Sequence, residues 1–151
     1  MYGKAAMVYA CEWNENSVVA LQHNLACAGI GSERCVVYHG DNREENTVKL
    51  LSGLADRISL GLLPSSKEGW PLAVSALSSR GGWMHVHENV NVADIDSWVQ
   101  NTCETFQDMF YSAGKPMEVK CRHLERVKSY APKILHVVAD LECTARDQAY
   151  F

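Results

Sequence analysis

Four polar clusters follow apolar runs in this 151-residue chain, and they hold the side chains best suited to chemistry. Glu12 follows the run 7–11. Asp41 and Asn42 follow the run 35–39. Leu63, Pro64, Ser65 and Ser66 close the run that starts at Ile58, and His87, Glu88 and Asn89 end the one that starts at Trp83. In an open α/β sheet, ligands collect outside the carboxyl ends of the parallel strands, where each cluster would lie. A carboxylate offers only acceptors, arranged as a two-pronged fork. An acidic residue ending one strand therefore suits the two hydroxyls of a ribose, and an Asp after the following strand suits an adenine amino group. Taken in order, Glu12 and Asp41 favour an adenosine-containing ligand. Taken singly, each also reads as a helix cap.

Strand-like and helix-like segments must alternate to position these groups. The run 7–11 reads as a buried strand, and Asn14 or Asn16 caps a helix in which Val18, Leu21 and Leu25 recur at helical spacing until Gly29 stops it. A second strand covers 35–39, and a polar helical or irregular stretch leads to a third strand over 58–63 that Pro64 ends. A helix over 70–77, with Pro71 tolerable in its first turn, precedes the Gly81-Gly82 turn and a strand over 83–88. A long helix over 95–110 carries Trp98, Phe106 and Phe110, and Gly114 closes it. Two β-rich segments, 118–127 and 134–141, flank a connection so short that they must pair antiparallel. Alternation followed by a terminal antiparallel pair predicts an α/β doubly wound sheet, and the lack of repeats or linkers predicts one domain over 1–151.

A glycine-rich loop after the first strand, the usual cradle for a nucleotide, is not found. Gly29-Ile30-Gly31 follows a helix instead of opening one. The balance of 14 Lys and Arg against 18 Asp and Glu excludes a strongly basic domain that would hold nucleic acid by its overall field alone. The one basic cluster is Lys115, Lys120, Arg122, Arg126, Lys128 and Lys133. It suits RNA phosphates or a solvated strand face. The six cysteines form no CxxC pair and read as thiols of a reducing compartment, and neither they nor His85 and His87 have metal-site spacing, so no metal is expected. No apolar run suits a membrane helix and the first residues do not resemble a signal peptide; a soluble, cytoplasmic chain is expected.

Several stretches carry a family resemblance: Val8-Tyr9-Ala10-Cys11-Glu12-Trp13-Asn14, Gly40-Asp41-Asn42-Arg43, Leu60-Gly61-Leu62-Leu63-Pro64-Ser65-Ser66-Lys67-Glu68-Gly69-Trp70-Pro71, His123-Leu124-Glu125-Arg126 through Pro132, and Asp140-Leu141-Glu142-Cys143. Together they resemble the tRNA wybutosine-synthesising protein 2 family, whose relatives include guanosine N1-methyltransferases acting beside the anticodon. The resemblance runs over nearly the whole chain, and the Pro-Ser-Ser-x-Glu-Gly-Trp-Pro stretch is specific to that family. It implies a class I methyltransferase-like fold with a mostly parallel sheet. It also implies S-adenosyl-L-methionine as cofactor and transfer of its 3-amino-3-carboxypropyl group to a tricyclic guanosine derivative, 4-demethylwyosine, in phenylalanine tRNA. By position, Glu12 matches the ribose ligand, Asp41 and Asn42 the adenine-side contacts, and Pro64, Ser65 and Ser66 the place where the acceptor base is presented.

The family's first strand, glycine loop and N-terminal region have no counterpart here, so the chain resembles the carboxyl-terminal half to two-thirds of a transferase core. The expectation that follows is weak cofactor binding by the chain alone. Two other readings compete with aminocarboxypropyl transfer. A tRNA guanosine N1-methyltransferase shares the fold and the acidic pair, but the Leu63-Pro64-Ser65-Ser66 turn lacks the Asn-Pro-Pro-Tyr type sequence that holds a base amino group. A non-catalytic fragment without cofactor binding is the other. Ser65 and Ser66 read equally well as caps of the helix that follows, and Trp70, Trp83, Trp98, His85, His87 and His123 read as packing or strand residues.

Overall fold

The computed structural model describes residues 5–146; the first four residues, at the start read above as unlike a signal peptide, lie outside them. The chain divides into two compact units, one up to Lys49 and the other from Leu50 onward.

The first unit is built on β1 (Val8–Glu12) and β2 (Cys35–His39), joined by helix α1 (Glu15–Cys27). The two strands pair in parallel from Val8 opposite Cys35 to Glu12 opposite His39. The side chain of Asn14 accepts from Ser17 N at 3.1 Å, satisfying one of the amides that a helix start leaves unpaired. Among the described residues, Val18 and Cys35 are its buried apolar side chains. A short helix, α2 (Glu45–Leu51), follows.

The second unit is a four-stranded sheet in the order β3-β4-β6-β5, made of β3 (Arg57–Leu60), β4 (Gly81–Asn91), β5 (Met117–Ala131) and β6 (Ile134–Ala145). Its core combines helices α3 (Trp70–Ala76) and α4 (Ile95–Ser112) with one face of the sheet. Thr102, Phe106 and Phe110 recur every fourth residue along α4 and so share one buried stripe. Phe106 meets Trp70 with ring centroids 4.5 Å apart, above Met84, Val86, Ala139 and Leu141 of the two central strands. Gly81 and Gly82 lie at φ +93° and +154°. A Cβ on either would run into a carbonyl oxygen, that of Cys143 or of Asp56, so the chain enters β4 through a passage only glycine fits.

Three expectations are refined. The terminal segments pair antiparallel, but β6 also pairs antiparallel with β4 along its full length, from Gly81 opposite Thr144 to Asn91 opposite Ile134. The sheet content is therefore mixed, with two parallel and two antiparallel neighbouring pairs among the described strands. Pairing along all of β6 draws β4 out to Asn91, three residues past the expected end. The third strand is shorter than the apolar run implied: it ends at Leu60, and the next residues swing out, leaving Leu62 exposed.

Candidate functional site

Glu12 and Asp41 emerge at the same end of adjacent parallel strands, as their order in the sequence predicts. Glu12 is the last residue of β1 and the register partner of His39, and Gly40 N donates to the Glu12 carbonyl at 3.0 Å. Asp41 is therefore two residues beyond the point where the strands part. The side chains differ in what they already hold. Glu12 Oε1 accepts from Asn14 N at 2.8 Å, one of about four acceptor positions a carboxylate offers. Both oxygens of Asp41 are engaged by Arg43. Arg43 N and Nε donate to Oδ1 at 2.9 Å each, Nε also reaches Oδ2 at 3.1 Å, and Nη2 donates to Oδ2 at 2.7 Å. These bonds favour the ionised form and hold the Asp41 carboxyl down at about 2. Asn42, between them in sequence, is partly exposed.

In the second unit the turn after β3 is tied to the end of β4 by three hydrogen bonds. Ser65 Oγ donates to Glu88 Oε2 at 3.0 Å, Ser66 Oγ donates to the His87 carbonyl at 3.2 Å, and Asn89 N donates to the Pro64 carbonyl at 2.9 Å. Ser66 also accepts from Trp70 Nε1 at 3.3 Å and is only 2% exposed. Its hydroxyl is spent inside the protein, so it braces the turn. Neither serine caps α3: the one-turn helix Lys67–Gly69 intervenes, and no side-chain cap bond is made. Pro64 is exposed and Ser65 partly so. Burial pushes the Glu88 carboxyl up, against the smaller opposing effects of the Ser65 hydroxyl and the Lys67 charge.

Of the aromatic and histidine residues set aside as structural, Trp70, Trp83 and the three histidines have polar or ring partners, whereas the Trp98 indole nitrogen has none. Trp70 is in the core, and the Arg57 guanidinium lies over Trp83 at 5.9 Å. His85 Nδ1 meets Asp140 Oδ1 at 2.5 Å across the β4–β6 pair, and His87 Nδ1 meets His136 Nε2 at 3.0 Å. Burial, then the neighbouring imidazoles of His136 and His85, push His87 down. His123 contacts Glu125 at 3.2 Å. The basic cluster is partly consumed. Lys115 turns inward onto the end of α3, Lys120 pairs with Glu118 at 2.8 Å, and Arg122 with Glu142 at 2.6 Å. Among the described residues no group of three or more His, Cys, Asp or Glu is placed to hold a metal, and no helix is long and apolar enough to cross a membrane.

Beside the braced turn lies a groove of about 560 Å³ bounded by the end of β4 and the first half of α4, with Glu88, Asn89, Trp98 and Asn101 on its walls. The sequence marks Asn89 only as a strand end. That its amide lacks a protein partner is a tertiary fact with no local signal.

No protein-family model matches the chain. It is 44% identical over 140 residues to the Arabidopsis thaliana tRNA wybutosine-synthesizing protein 2/3/4, covering 93% of this chain and 14% of that protein. It is 40% identical over 174 aligned positions to the Danio rerio tRNA wybutosine-synthesizing protein 2 homolog, covering 95% of this chain and 41% of that one. The TYW2 protein of P. horikoshii, crystallised in complex with MeSAdo, superposes with a TM-score of 0.76 at 29% identity, over 95% of this chain and half of its own. The chain thus spans less than half the length of these curated relatives. Over nearly all of its own length it is similar to part of proteins named tRNA wybutosine-synthesizing protein 2, and it shares the α/β fold of the TYW2 structure.

Proposed function

We propose that this chain serves in S-adenosyl-L-methionine-dependent transfer of a 3-amino-3-carboxypropyl group to 4-demethylwyosine beside the anticodon of phenylalanine tRNA, a cytoplasmic step of wybutosine synthesis. The observation that carries the reading is its 40–44% identity to wybutosine-synthesizing proteins over more than nine-tenths of its length.

The donor set at the end of β1 and β2 suits an adenosine. Glu12 has acceptor positions left for a ribose diol after serving Asn14, and Asn42 offers both a donor and an acceptor to an adenine edge. Asp41 reaches an adenine amino group only if Arg43 yields one of its bonds; meanwhile it sets the shape of the turn that carries Asn42. When bound, the cofactor supplies an electrophilic carbon on a sulfonium with methylthioadenosine as a good leaving group, so alignment decides which carbon reacts. Pro64 and Ser65 are the residues proposed to meet the extruded acceptor base, on a turn stiffened by Ser66, Glu88 and the Pro64 carbonyl.

The test supplies a protein carrying this sequence with S-adenosyl-L-methionine and tRNA bearing the tricyclic base, and identifies the nucleoside released. Methylthioadenosine is expected. S-adenosylhomocysteine would instead select methyl transfer, and release of neither would leave this sequence a non-catalytic fragment.

A further inference from the structure

The groove between the end of β4 and α4 holds three buried polar side-chain atoms without a protein partner: both amide atoms of Asn89 and the indole nitrogen of Trp98. Buried polar groups are nearly always hydrogen-bonded, because losing water without gaining a partner is costly. Three such atoms, on the strand and the helix that bound one groove, mark a place where something else supplies the bonds. Their chemistry narrows what. A carboxamide sets a donor beside an acceptor, the pattern that complements the edge of a nucleobase, and the indole adds a second donor next to an aromatic plane. No hydrogen bond fixes the Asn89 amide, whose two polar atoms lie beneath the groove surface, so a turn of the side chain would be what presents it to a ligand.

Charge points the same way. Glu88 and Asp94 line the groove with Lys67 as its single cation among the described residues, which disfavours a phosphate backbone but tolerates a neutral base. Burial also pushes the Glu88 carboxyl toward its uncharged form. The groove adjoins the turn read as the acceptor site. Glu88 lines it and accepts from Ser65, and Asn89, also lining it, is held through its backbone by the Pro64 carbonyl. Single-stranded RNA is commonly read by splaying bases out and matching their edges and faces.

We propose that this groove binds an unpaired nucleobase next to the modified one, with Asn89 pairing its edge and Trp98 donating through its indole. The inference rests on the reading that the chain acts on tRNA.

The experiment uses the 151-residue chain with a 17-nucleotide anticodon stem-loop RNA, the same RNA made abasic at either neighbour of the target guanosine, and free adenosine and guanosine at millimolar concentration. Asn89→Leu is expected to weaken stem-loop binding about tenfold, as is one of the abasic substitutions, and the two together should cost no more than one alone. In the unaltered chain the Trp98 indole N–H resonance should move on adding RNA or nucleoside. Trp98→Phe, with thermal unfolding to show that it folds, repeats the test without touching Asn89. RNA binding indifferent to both variants and to both abasic sites would overturn the groove while leaving the tRNA reading standing. A Trp98 shift with nucleoside but no stem-loop binding would keep the groove and remove the tRNA reading. No response to either probe would overturn both.

Discussion

Ser65 donates its hydroxyl hydrogen to Glu88 Oε2 at 3.0 Å, joining the proposed acceptor turn to the end of β4. Glu88 is 9% exposed, and burial outweighs this bond in setting its titration, so its carboxyl is raised. A raised carboxyl binds protons more readily in the folded than in the unfolded chain. Its ionisation therefore costs stability above the folded value, and the cost is relieved as pH falls toward the ordinary value near 4.5. Glu88→Gln, which keeps an acceptor for Ser65, should raise the unfolding temperature at pH 7.5 and change it little near pH 4.5. Equal effects at both values would place the cause elsewhere.

His87 has the opposite pH sensitivity on the stability axis. Its imidazole is pushed below the ordinary 6.5 by burial first, then by His136 and His85, with Asp140 opposing. The unfolded chain then takes up the proton first, so this contribution is whole above about pH 6.5 and declines as pH falls toward the folded value. Denaturant titrations of the unaltered chain and of His87→Gln should diverge between pH 7 and 5, with the variant losing less. Parallel curves would show that the His87–His136 contact does not govern acid stability.

Lys115 places its ammonium on three carbonyls at the end of α3, those of Val74 at 3.0 Å, Ser75 at 2.8 Å and Leu77 at 2.9 Å. A cation at a helix carboxyl end satisfies acceptors that the helix leaves open and complements its dipole. Lys115→Met keeps the stem and removes the bonds, and should cost about 2–3 kcal/mol in chemical denaturation. A loss under half a kilocalorie would mean that water replaces the ammonium without penalty.

At the proposed adenosine site, Glu12→Ala in a longer protein carrying this sequence should lower affinity for S-adenosyl-L-methionine about tenfold by calorimetry, the usual scale for losing a charged hydrogen-bond partner. Arg43→Ala should let the Asp41 carboxyl climb from about 2 toward its ordinary 3.8, read by NMR titration. Because Asp41 is lowered in the folded chain, the stability it lends is present above pH 3.8 and disappears as pH falls toward 2. An unchanged Asp41 titration in the variant would show that backbone donors alone hold it down.

Local signals reached some of this architecture and stopped where tertiary choice began. Cys35–His39 is legible as a strand because its apolar residues are bounded by polar ones, and the Asn14 cap because its side chain serves an amide three residues on. The end of β3 at Leu60 is not legible, since Gly61, Leu62 and Leu63 continue the apolar run and only the missing pairing partner ends the strand. Nor is the seat of β6 between β4 and β5, because hairpin logic names one neighbour and not the second. For the proposed site, residue type singled out Glu12 and the Ser65 turn as candidates. It could not separate Ser65 from Ser66, adjacent residues of the same type, of which only Ser66 is shut inside by Trp70.

The irregular outer strand has a consequence for handling the protein. β5 forms one border of its sheet, and its register slips at three places against β6, between Cys121 and His123, Arg126 and Lys128, and Ser129 and Ala131. Lys120, Arg122, Glu125, Arg126 and Lys128 line the same stretch. A border kinked three times and studded with charge is a poor template for a neighbouring molecule's strand. If concentrated solutions turn cloudy, the seed is to be sought away from β5, and Val8 and Tyr9, exposed on β1, are the first positions for solubilising substitutions.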